Sequence, residues 1–205
     1  MKNILNSLYA IGGANISPII AEKALKGGAK IYQLREKNLS DRDLLSIAEK
    51  LRDLCAKYNA EFVINDRVDL ARKLNCGAHI GGGDESLRKA REILGDNAII
   101  GVSCYDDLDR AKFAEKHGAS YVSFGACFRS RTKPNAPVLK DHKIFAENFK
   151  IPKCAIGGIT LENAEPLARE GANLIAVITA LWEALDVEKT AREFTRICEI
   201  KQEAK

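Results

Sequence analysis

The stretch GASYVSF at residues 118–124 carries the pattern that decides the fold. A Gly-Ala pair there ends a helix-like segment and leads directly into a short apolar run. The same pattern recurs as GAKIYQL at 28–34, GAHIG at 77–81 and GANLIAVI at 171–178. Glycine commonly ends a helix because it adopts the left-handed backbone conformation without steric cost. The repeat therefore predicts helix-to-strand turns along the whole chain.

Eight short apolar runs have the character of buried strands: YAI, IYQL, FVIN, HIG, IIGV, YVSF, CAIG and IAVI. They hardly alternate, which is typical of parallel strands covered on both faces. Helix-like segments separate them, with Ser40 as a cap before an apolar helical stripe and Ser17 as a cap before Pro18. We therefore predict an α/β fold, a single (β/α)₈ TIM barrel, with an open doubly wound sheet as the alternative. No linker divides the chain, which predicts one domain over residues 1–205.

Composition excludes several classes of protein. A formal net charge of +4 with no concentrated basic face argues against a nucleic-acid partner and leaves anionic small molecules as ligands. No apolar run approaches the roughly 18 residues that span a bilayer, and the first residues do not resemble a signal peptide, so we expect no membrane partner. The six cysteines are scattered without a C-x-x-C pair, which predicts reduced thiols and a cytoplasmic protein. The composition is compatible with a homo-oligomer.

Polar residues follow almost every predicted strand. In a TIM barrel the active site is built where the strands end, so these residues are expected to converge. The second strand is followed by Gln33, Arg35 and Lys37, the third by Asn65 and Asp66, the fourth by Asp84, the fifth by Ser103, the sixth by Ser130, Thr132 and Lys133, the seventh by Gly158 and the eighth by Thr179.

Two of these residues suit a metal ion. Asp66 and Asp84 follow adjacent predicted strands, and two carboxylates completed by substrate phosphate oxygens and water are a usual way of holding Mg²⁺. The alternative is that each aspartate only caps a helix.

Two further clusters suit phosphate groups. Arg35, Lys37 and Lys133 are cations suited to a pyrophosphate, although a basic loop is more often a solvated surface. Gly157 and Gly158 stand between a strand and a helix, where backbone N–H groups can meet an anion, although such a pair also makes a simple tight turn.

Taken in order, the polar clusters belong to longer motifs: YQLREK at 32–37, INDRVDLA at 64–71, HIGGGD at 79–84, GVSC at 101–104, GASYVSFGACFRSRTKPNAP at 118–137, and AIGGIT and AVITAL near the end. This ordered set resembles the thiamine-phosphate synthase family over nearly the whole chain. The resemblance implies a transferase that joins 4-amino-5-hydroxymethyl-2-methylpyrimidine diphosphate to a thiazole phosphate, giving thiamine phosphate and pyrophosphate.

The resemblance also implies roles for individual residues. Asp66 and Asp84 would ligate Mg²⁺, and Lys133, Ser103 and Arg35 would be the catalytic residues. The pyrimidine diphosphate would be held by Gln33, Arg35, Lys37, Asn65, Ser103 and Lys133. The thiazole phosphate would be held by Ser130, Thr132, Gly158, Ile178 and Thr179.

The chain departs from the family pattern at three places, and two other functions compete. The loop GGGD at 81–84 has glycines where the family usually has a Gln and an acidic residue before the aspartate. The loop RSRTK at 129–133 begins with Arg-Ser where the family has Pro-Thr or Pro-Ser. After the first strand, Gly12-Gly13 stands where many relatives have Thr-Asp. The related thiazole tautomerase carries a catalytic histidine where this chain has Ala126, which favours the synthase. A non-catalytic phosphate-binding barrel would have no need for both Asp66 and Asp84 beside a basic cluster.

Overall fold

The computed structural model describes residues 4–81, 84–130 and 134–200, which form a closed barrel of eight parallel strands. Each strand pairs with the next in sequence, and the last strand returns to the first through the register Ser7↔Leu174. The predicted TIM barrel is therefore confirmed over the open sheet. The strands are β1 (Ser7–Gly12), β2 (Ile31–Leu34), β3 (Glu61–Asn65), β4 (Gly77–Ile80), β5 (Ile100–Tyr105), β6 (Tyr121–Phe124), β7 (Lys153–Ile156) and β8 (Leu174–Val177).

Helices cover the outside of the barrel. They are α1 (Pro18–Lys26), α2 (Asp41–Lys57), α3 (Val68–Leu74), α4 (Asp84–Leu94), α5 (Leu108–Lys116), α6 (Leu161–Glu170), α7 (Thr179–Trp182) and α8 (Val187–Cys198). The sequence predicts a helix after every strand. Between β6 and β7 the described residues instead form a single 3₁₀ helix, His142–Ala146. Within the described ranges, no helix is both long enough and apolar enough to cross a membrane.

The helix ends test the glycine pattern. Ser17 and Ser40 cap α1 and α2 as predicted, each accepting a hydrogen bond from the backbone N–H three residues later. Gly171 ends α6 in the left-handed conformation, with φ +114°. The prediction is wrong at Gly77, which already belongs to β4. There Asn75 ends α3 with φ +51°, because asparagine also tolerates this conformation.

The sheet divides the buried residues into two layers. The larger layer lies between the strands and the helices, and the smaller one fills the barrel with side chains such as Ile31, Val63 and Leu174. Two tyrosines, Tyr9 and Tyr121, also belong to the inner layer and bring hydroxyl groups into it. The two hydroxyls are hydrogen-bonded to each other, and because an unpaired buried hydroxyl is costly, further polar partners are expected inside the barrel.

Candidate active site

A cavity of about 160 Å³ opens at the carboxyl ends of the strands. Strand alternation explains its position, because residues two apart on each strand point to the same side of the sheet. Side chains of the inner layer form its floor, and the residues that follow them along the strands form its wall. Six of the residues predicted from sequence line it: Gln33, Arg35, Asn65, Ser103, Ser130 and Ile178.

The β2 side of the mouth presents an amide and two cations at different depths. Gln33 is buried within the barrel and donates a hydrogen bond from Nε2 to the Tyr9 hydroxyl. Arg35 lies just past the strand, and its backbone N–H donates to the Gly12 carbonyl at 2.8 Å. Lys37 is exposed and does not line the cavity. Two of the three predicted residues on this side therefore face the cavity.

The β3 side carries a carboxylate pointing into a second cavity. Asp66 adopts a left-handed conformation with φ +63°, and its carboxylate accepts a hydrogen bond from Asn65 Nδ2 at 2.6 Å. This second cavity of about 560 Å³ is lined by Asp66, Asp69, Lys89 and other residues of α3 and α4. Tyr105, at the end of β5, lines both cavities.

Of the two predicted metal ligands, Asp66 is the one whose side chain the structure describes. Its carboxylate is exposed and forms no salt bridge with any residue in the described part of the chain. Helix α4 begins at Asp84, just past β4, which pairs with β3; the side chain of Asp84 lies outside the description. Within the described ranges, no group of three or more His, Cys, Asp or Glu side chains converges. An exposed carboxylate still fits Mg²⁺, which usually takes few protein ligands and completes its shell with phosphate oxygens and water.

The opposite side of the mouth is made of backbone. Gly157 and Gly158 follow β7 with φ of +104° and +64°, and their N–H groups donate to no other group among the described residues. A Cβ at Gly158 would lie 2.7 Å from the Phe128 carbonyl oxygen, so only glycine fits there. The Thr160 N–H, directly before α6, is not available to an anion, because it donates to Asn163 Oδ1 at 2.8 Å.

The remaining predicted residues lie at the edge of this side or outside the description. Ile178 directly follows β8 and lines the cavity, and Thr179 begins α7 directly after it. Gly158 and Thr179 do not themselves line the cavity, although Gly157 does. Thr132 and Lys133 lie outside the described residues, so their predicted roles rest on the resemblance.

The floor of the cavity holds functional groups that are not among the residues predicted from the sequence. His79 Nε2 lies 2.9 Å from Ser103 Oγ, and His79 Nδ1 lies 2.9 Å from the Tyr121 hydroxyl. The Tyr121 and Tyr9 hydroxyls are 2.7 Å apart. The missed signal is the strand period, since Tyr9 and Tyr121 stand two residues before the cavity-lining residues Ile11 and Ser123.

Cys104 follows Ser103 on β5 but does not line the cavity. Burial raises the pKa of its thiol to about 12, so it is not a nucleophile at neutral pH. All six cysteines are free thiols, as the scattered spacing predicts. Cys104 therefore belongs to the packing of the outer layer.

A closed barrel with amide, hydroxyl and charged side chains on one side of its mouth and glycine turns on the other defines a TIM-barrel enzyme for anionic small molecules. The model of the family "Thiamine monophosphate synthase" matches residues 8–181. The thiamine-phosphate synthase of Methylobacillus flagellatus is 45% identical over 87% of this chain and 86% of the relative. That of Wolinella succinogenes is 46% identical over 83% and 80% of the two chains.

The solved structure of a thiamine phosphate pyrophosphorylase from Pyrococcus furiosus superposes with a TM-score of 0.86 at 37% identity, covering 97% of both chains. A 3-hexulose-6-phosphate synthase reaches 0.67 at 16% identity, which shows the shared fold alone. The chain belongs to the thiamine monophosphate synthase family. It is a transferase of thiamine biosynthesis that joins a pyrimidine and a thiazole moiety to make thiamine phosphate.

Proposed function

We propose that this chain performs the reaction by binding the pyrimidine as its diphosphate on the side-chain half of the mouth and the thiazole as its phosphate on the backbone half. The division of the mouth into these two unlike halves is the observation that carries the proposal. Each half suits one anion, and the cavity of about 160 Å³ between them gives the two heterocycles a place to meet.

The pyrimidine diphosphate is assigned to Gln33, Arg35, Lys37, Asn65, Ser103 and Lys133. The amide of Gln33 and the hydroxyl of Ser103 lie at the cavity wall, where they suit the nitrogen atoms of an aminopyrimidine. Arg35 and the exposed Lys37 lie farther out, where a diphosphate tail would extend toward solvent. Guanidinium and ammonium groups are the cations that phosphate oxygens prefer in proteins.

The thiazole phosphate is assigned to Ser130, Thr132, Gly158, Ile178 and Thr179. Gly157 and Gly158 support this assignment because their backbone N–H groups have no acceptor among the described residues. The loops after the seventh and eighth strands are a common phosphate site in this fold.

Asp66 and Asp84 are the proposed ligands of Mg²⁺. When bound, the ion would neutralise charge on the diphosphate and so favour its departure as pyrophosphate. The exposed Asp66 carboxylate is the described part of this site, and Asn65 orients it through the bond to Oδ2. A ligand oriented by a neighbouring group binds a metal better than a freely rotating one.

The chain itself has to align two substrates and stabilise a leaving group. The thiazole nitrogen attacks the methylene carbon with its lone pair and has no proton to lose, so no general base is required. The aminopyrimidine donates electron density to the methylene, so departure of pyrophosphate leads bond formation. Lys133 stabilises the charge on the leaving group, with Arg35 and Ser103 holding the pyrimidine diphosphate in position.

The decisive experiment is pyrophosphate release measured with both substrates, with and without Mg²⁺. Release that needs both substrates and the ion supports the proposal. A thiazole tautomerase would isomerise a thiazole phosphate without releasing pyrophosphate, and a non-catalytic barrel would only bind. Ala126 speaks against the tautomerase, because it lines the cavity and its methyl group cannot transfer a proton.

The proposal extends to the whole chain and its location. We assign residues 1–205 to one domain, which the closure of β1 on β8 supports. We also assign the protein to the cytoplasm, where a reducing environment suits six free thiols.

A further inference from the structure

A chain of hydrogen bonds crosses the barrel interior beneath the cavity and joins two residues assigned to the pyrimidine. It starts at Gln33 on β2, passes through the hydroxyls of Tyr9 and Tyr121, and reaches Ser103 through the imidazole of His79. Gln33, Tyr9, His79 and Ser103 line the cavity, whereas Tyr121 is fully buried and does not. The hydrogen-bond chain therefore runs from one wall of the site to another along its floor, and its central hydroxyl, that of Tyr121, cannot touch substrate.

The donors and acceptors of this chain can be ordered. Gln33 Nε2 donates to the Tyr9 oxygen, which leaves Tyr9 with one proton to place. Tyr121 Oη, at 2.7 Å, is the acceptor that the described residues offer to that proton. If Tyr121 donated to Tyr9 instead, the buried Tyr9 proton would have no acceptor within the described ranges, which is costly.

The same order continues to the cavity. The Tyr121 hydroxyl donates a hydrogen bond to His79 Nδ1, at 2.9 Å. A neutral imidazole that accepts at Nδ1 carries its own proton on Nε2. His79 Nε2–H then donates to Ser103 Oγ at 2.9 Å. Since Ser103 accepts this bond, its hydroxyl proton is left for a ligand in the cavity. If the hydrogen bonds ran in the opposite direction, the Ser103 hydroxyl would donate to His79 Nε2, and Ser103 could only accept a hydrogen bond from a ligand.

Burial keeps the two tyrosine hydroxyls of the hydrogen-bond chain protonated. Burial raises the pKa of Tyr9 and of Tyr121 well above the ordinary value, so both phenols stay neutral in any physiological buffer. Each phenol therefore has a single proton, and the direction of one bond decides the direction of the next. Hydrogen bonds linked in this way also strengthen one another in a region of low dielectric.

We propose that Tyr9, Tyr121 and His79 are positioning residues, whose one-way chain from Gln33 holds His79 in its Nε2–H tautomer and presents the Ser103 hydroxyl proton to a ring nitrogen of the pyrimidine. This inference rests on the proposed assignment of Ser103 to the pyrimidine site. An aminopyrimidine combines acceptor ring nitrogens with a donor amino group, so a site must present donors and acceptors in a fixed order to orient it. The chain supplies that order from beneath the ligand.

The tautomer can be read directly by NMR on wild-type protein labelled with ¹⁵N-histidine, at a pH of about 8, where exposed imidazoles are neutral. The protein provides its own references. His117 Nδ1 lies 2.8 Å from the Phe113 carbonyl oxygen and must carry a proton there, and His142 Nε2 lies 3.1 Å from the Cys127 carbonyl oxygen. We expect His79 to match His142, with signals assigned by His117→Gln and His142→Gln. A His79 that matches His117 would overturn the direction of the chain.

Kinetics then test whether the order matters to substrate. Tyr121→Phe removes the hydroxyl in the middle of the chain, so His79 should become a mixture of tautomers. The KM of the pyrimidine diphosphate should rise roughly three- to tenfold, the worth of about one neutral hydrogen bond, with the KM of the thiazole phosphate unchanged. Tyr58→Phe is the matched control, because the Tyr58 hydroxyl donates to Glu22 on the surface, at 2.6 Å.

Equal rises in both KM values for Tyr121→Phe would indicate general damage and overturn the positioning role. Ser103→Ala separates this inference from the assignment on which it rests. If Ser103→Ala leaves the KM of the pyrimidine diphosphate unchanged while wild-type His79 carries its proton on Nε2, the assignment of Ser103 is wrong and the direction of the chain still holds. A raised KM with the same tautomer supports both.

Discussion

The two halves of the mouth, to each of which we assign one anion, are built from different parts of the chain. The β2 and β3 side presents side chains: Gln33, Arg35, Asn65 and Asp66. The β7 side presents the backbone of Gly157 and Gly158, held in a left-handed conformation. Side-chain contacts can be removed one atom at a time, whereas backbone contacts change only when the path of the chain changes. The halves should therefore fail in different ways when mutated.

The largest effect is expected at Asp66, on the side-chain half. Asp66→Ala should abolish Mg²⁺-dependent turnover and leave the fold intact, because the exposed carboxylate contributes a ligand and no core contact. Asp66→Asn should have the same effect while keeping a residue type that tolerates the left-handed backbone at φ +63°. Turnover and circular dichroism are to be measured together.

Asp69→Ala is the control for this prediction. Asp69 is exposed and lines the same second cavity from the first turn of α3, so it tests whether loss of any carboxylate there would abolish turnover. Asp84→Ala should behave like Asp66→Ala. Near-normal turnover in both the Asp66 and the Asp84 variants would refute the metal assignment.

Lys133 should come next, with an effect on rate more than on binding. If it stabilises the leaving pyrophosphate, Lys133→Ala should lower kcat by about 10²–10³ and raise KM only modestly. Lys133→Arg should restore part of the activity, because the guanidinium has a different shape. Steady-state kinetics with the pyrimidine diphosphate varied decide this. Lys140→Ala, an exposed lysine farther along the same connection, should change nothing.

A change in KM without a change in kcat would contradict the role of Lys133 in the departure of pyrophosphate. A hundredfold rise in KM with kcat unchanged would make it a residue that binds ground state and transition state equally. The side-chain half would then hold the diphosphate without assisting its departure.

Gly158→Val tests the backbone half. The KM of the thiazole phosphate should rise roughly tenfold or more, the worth of one or two hydrogen bonds to a charged group, with a much smaller change for the pyrimidine diphosphate. The physical reason is a collision with the neighbouring backbone. The new side chain would contact the carbonyl oxygens of Phe128 and Arg129, so the segment leading to Ser130 has to move.

Gly95→Val separates that collision from backbone strain. Gly95 also has a positive φ, +78°, yet nothing lies within 4 Å of the Cβ position. It should cost stability and leave both KM values unchanged. If Gly158→Val raises both KM values equally, the damage is general and the two halves are not separate sites.

The comparison also shows what the sequence could predict. The barrel follows from the Gly-Ala repeat, because strand and helix signals are local and eight units fit few other folds. The strand-end residues follow because a barrel brings the ends of all its strands together. The inner hydrogen-bond chain does not follow in the same way. Tyr9, His79 and Tyr121 lie on three different strands, and only the register of the closed sheet places their polar atoms in line.

The glycine turn shows a second limit. The pair Gly157-Gly158 marks a backbone site in the sequence, but the sequence does not indicate which N–H groups stay open. Asn163 takes the Thr160 N–H, and that bond depends on how α6 begins. The sequence therefore predicts the place of the glycine turn, but not which of its N–H groups remain available to an anion.

The smallest effect is expected at Tyr32, the neighbour of Gln33 on β2, whose side chain points to the outer layer. Its hydroxyl is buried and has no hydrogen-bond partner in the described part of the chain, and the ring packs on Trp182 with centroids 5.9 Å apart. Tyr32→Phe should keep activity and raise the free energy of unfolding by up to about 1 kcal/mol, because it removes an unsatisfied polar group. Tyr121→Phe should instead lower it, because Tyr9 and His79 lose a partner.

A double-mutant cycle measured by urea unfolding makes the Tyr32 prediction specific. The Tyr32 hydroxyl occupies the space that a Cβ at Gly12 would need, at one of the positions where the chain departs from the family pattern. Gly12→Ala alone should therefore lower the free energy of unfolding by about 1–3 kcal/mol through overpacking. In the Tyr32→Phe background the loss should be smaller, since the colliding oxygen is gone. If the two effects were additive, the Tyr32 hydroxyl and a side chain at residue 12 would not compete for space. Tyr32 could then not serve as the reference for an unpaired hydroxyl against the paired hydroxyls of Tyr9 and Tyr121.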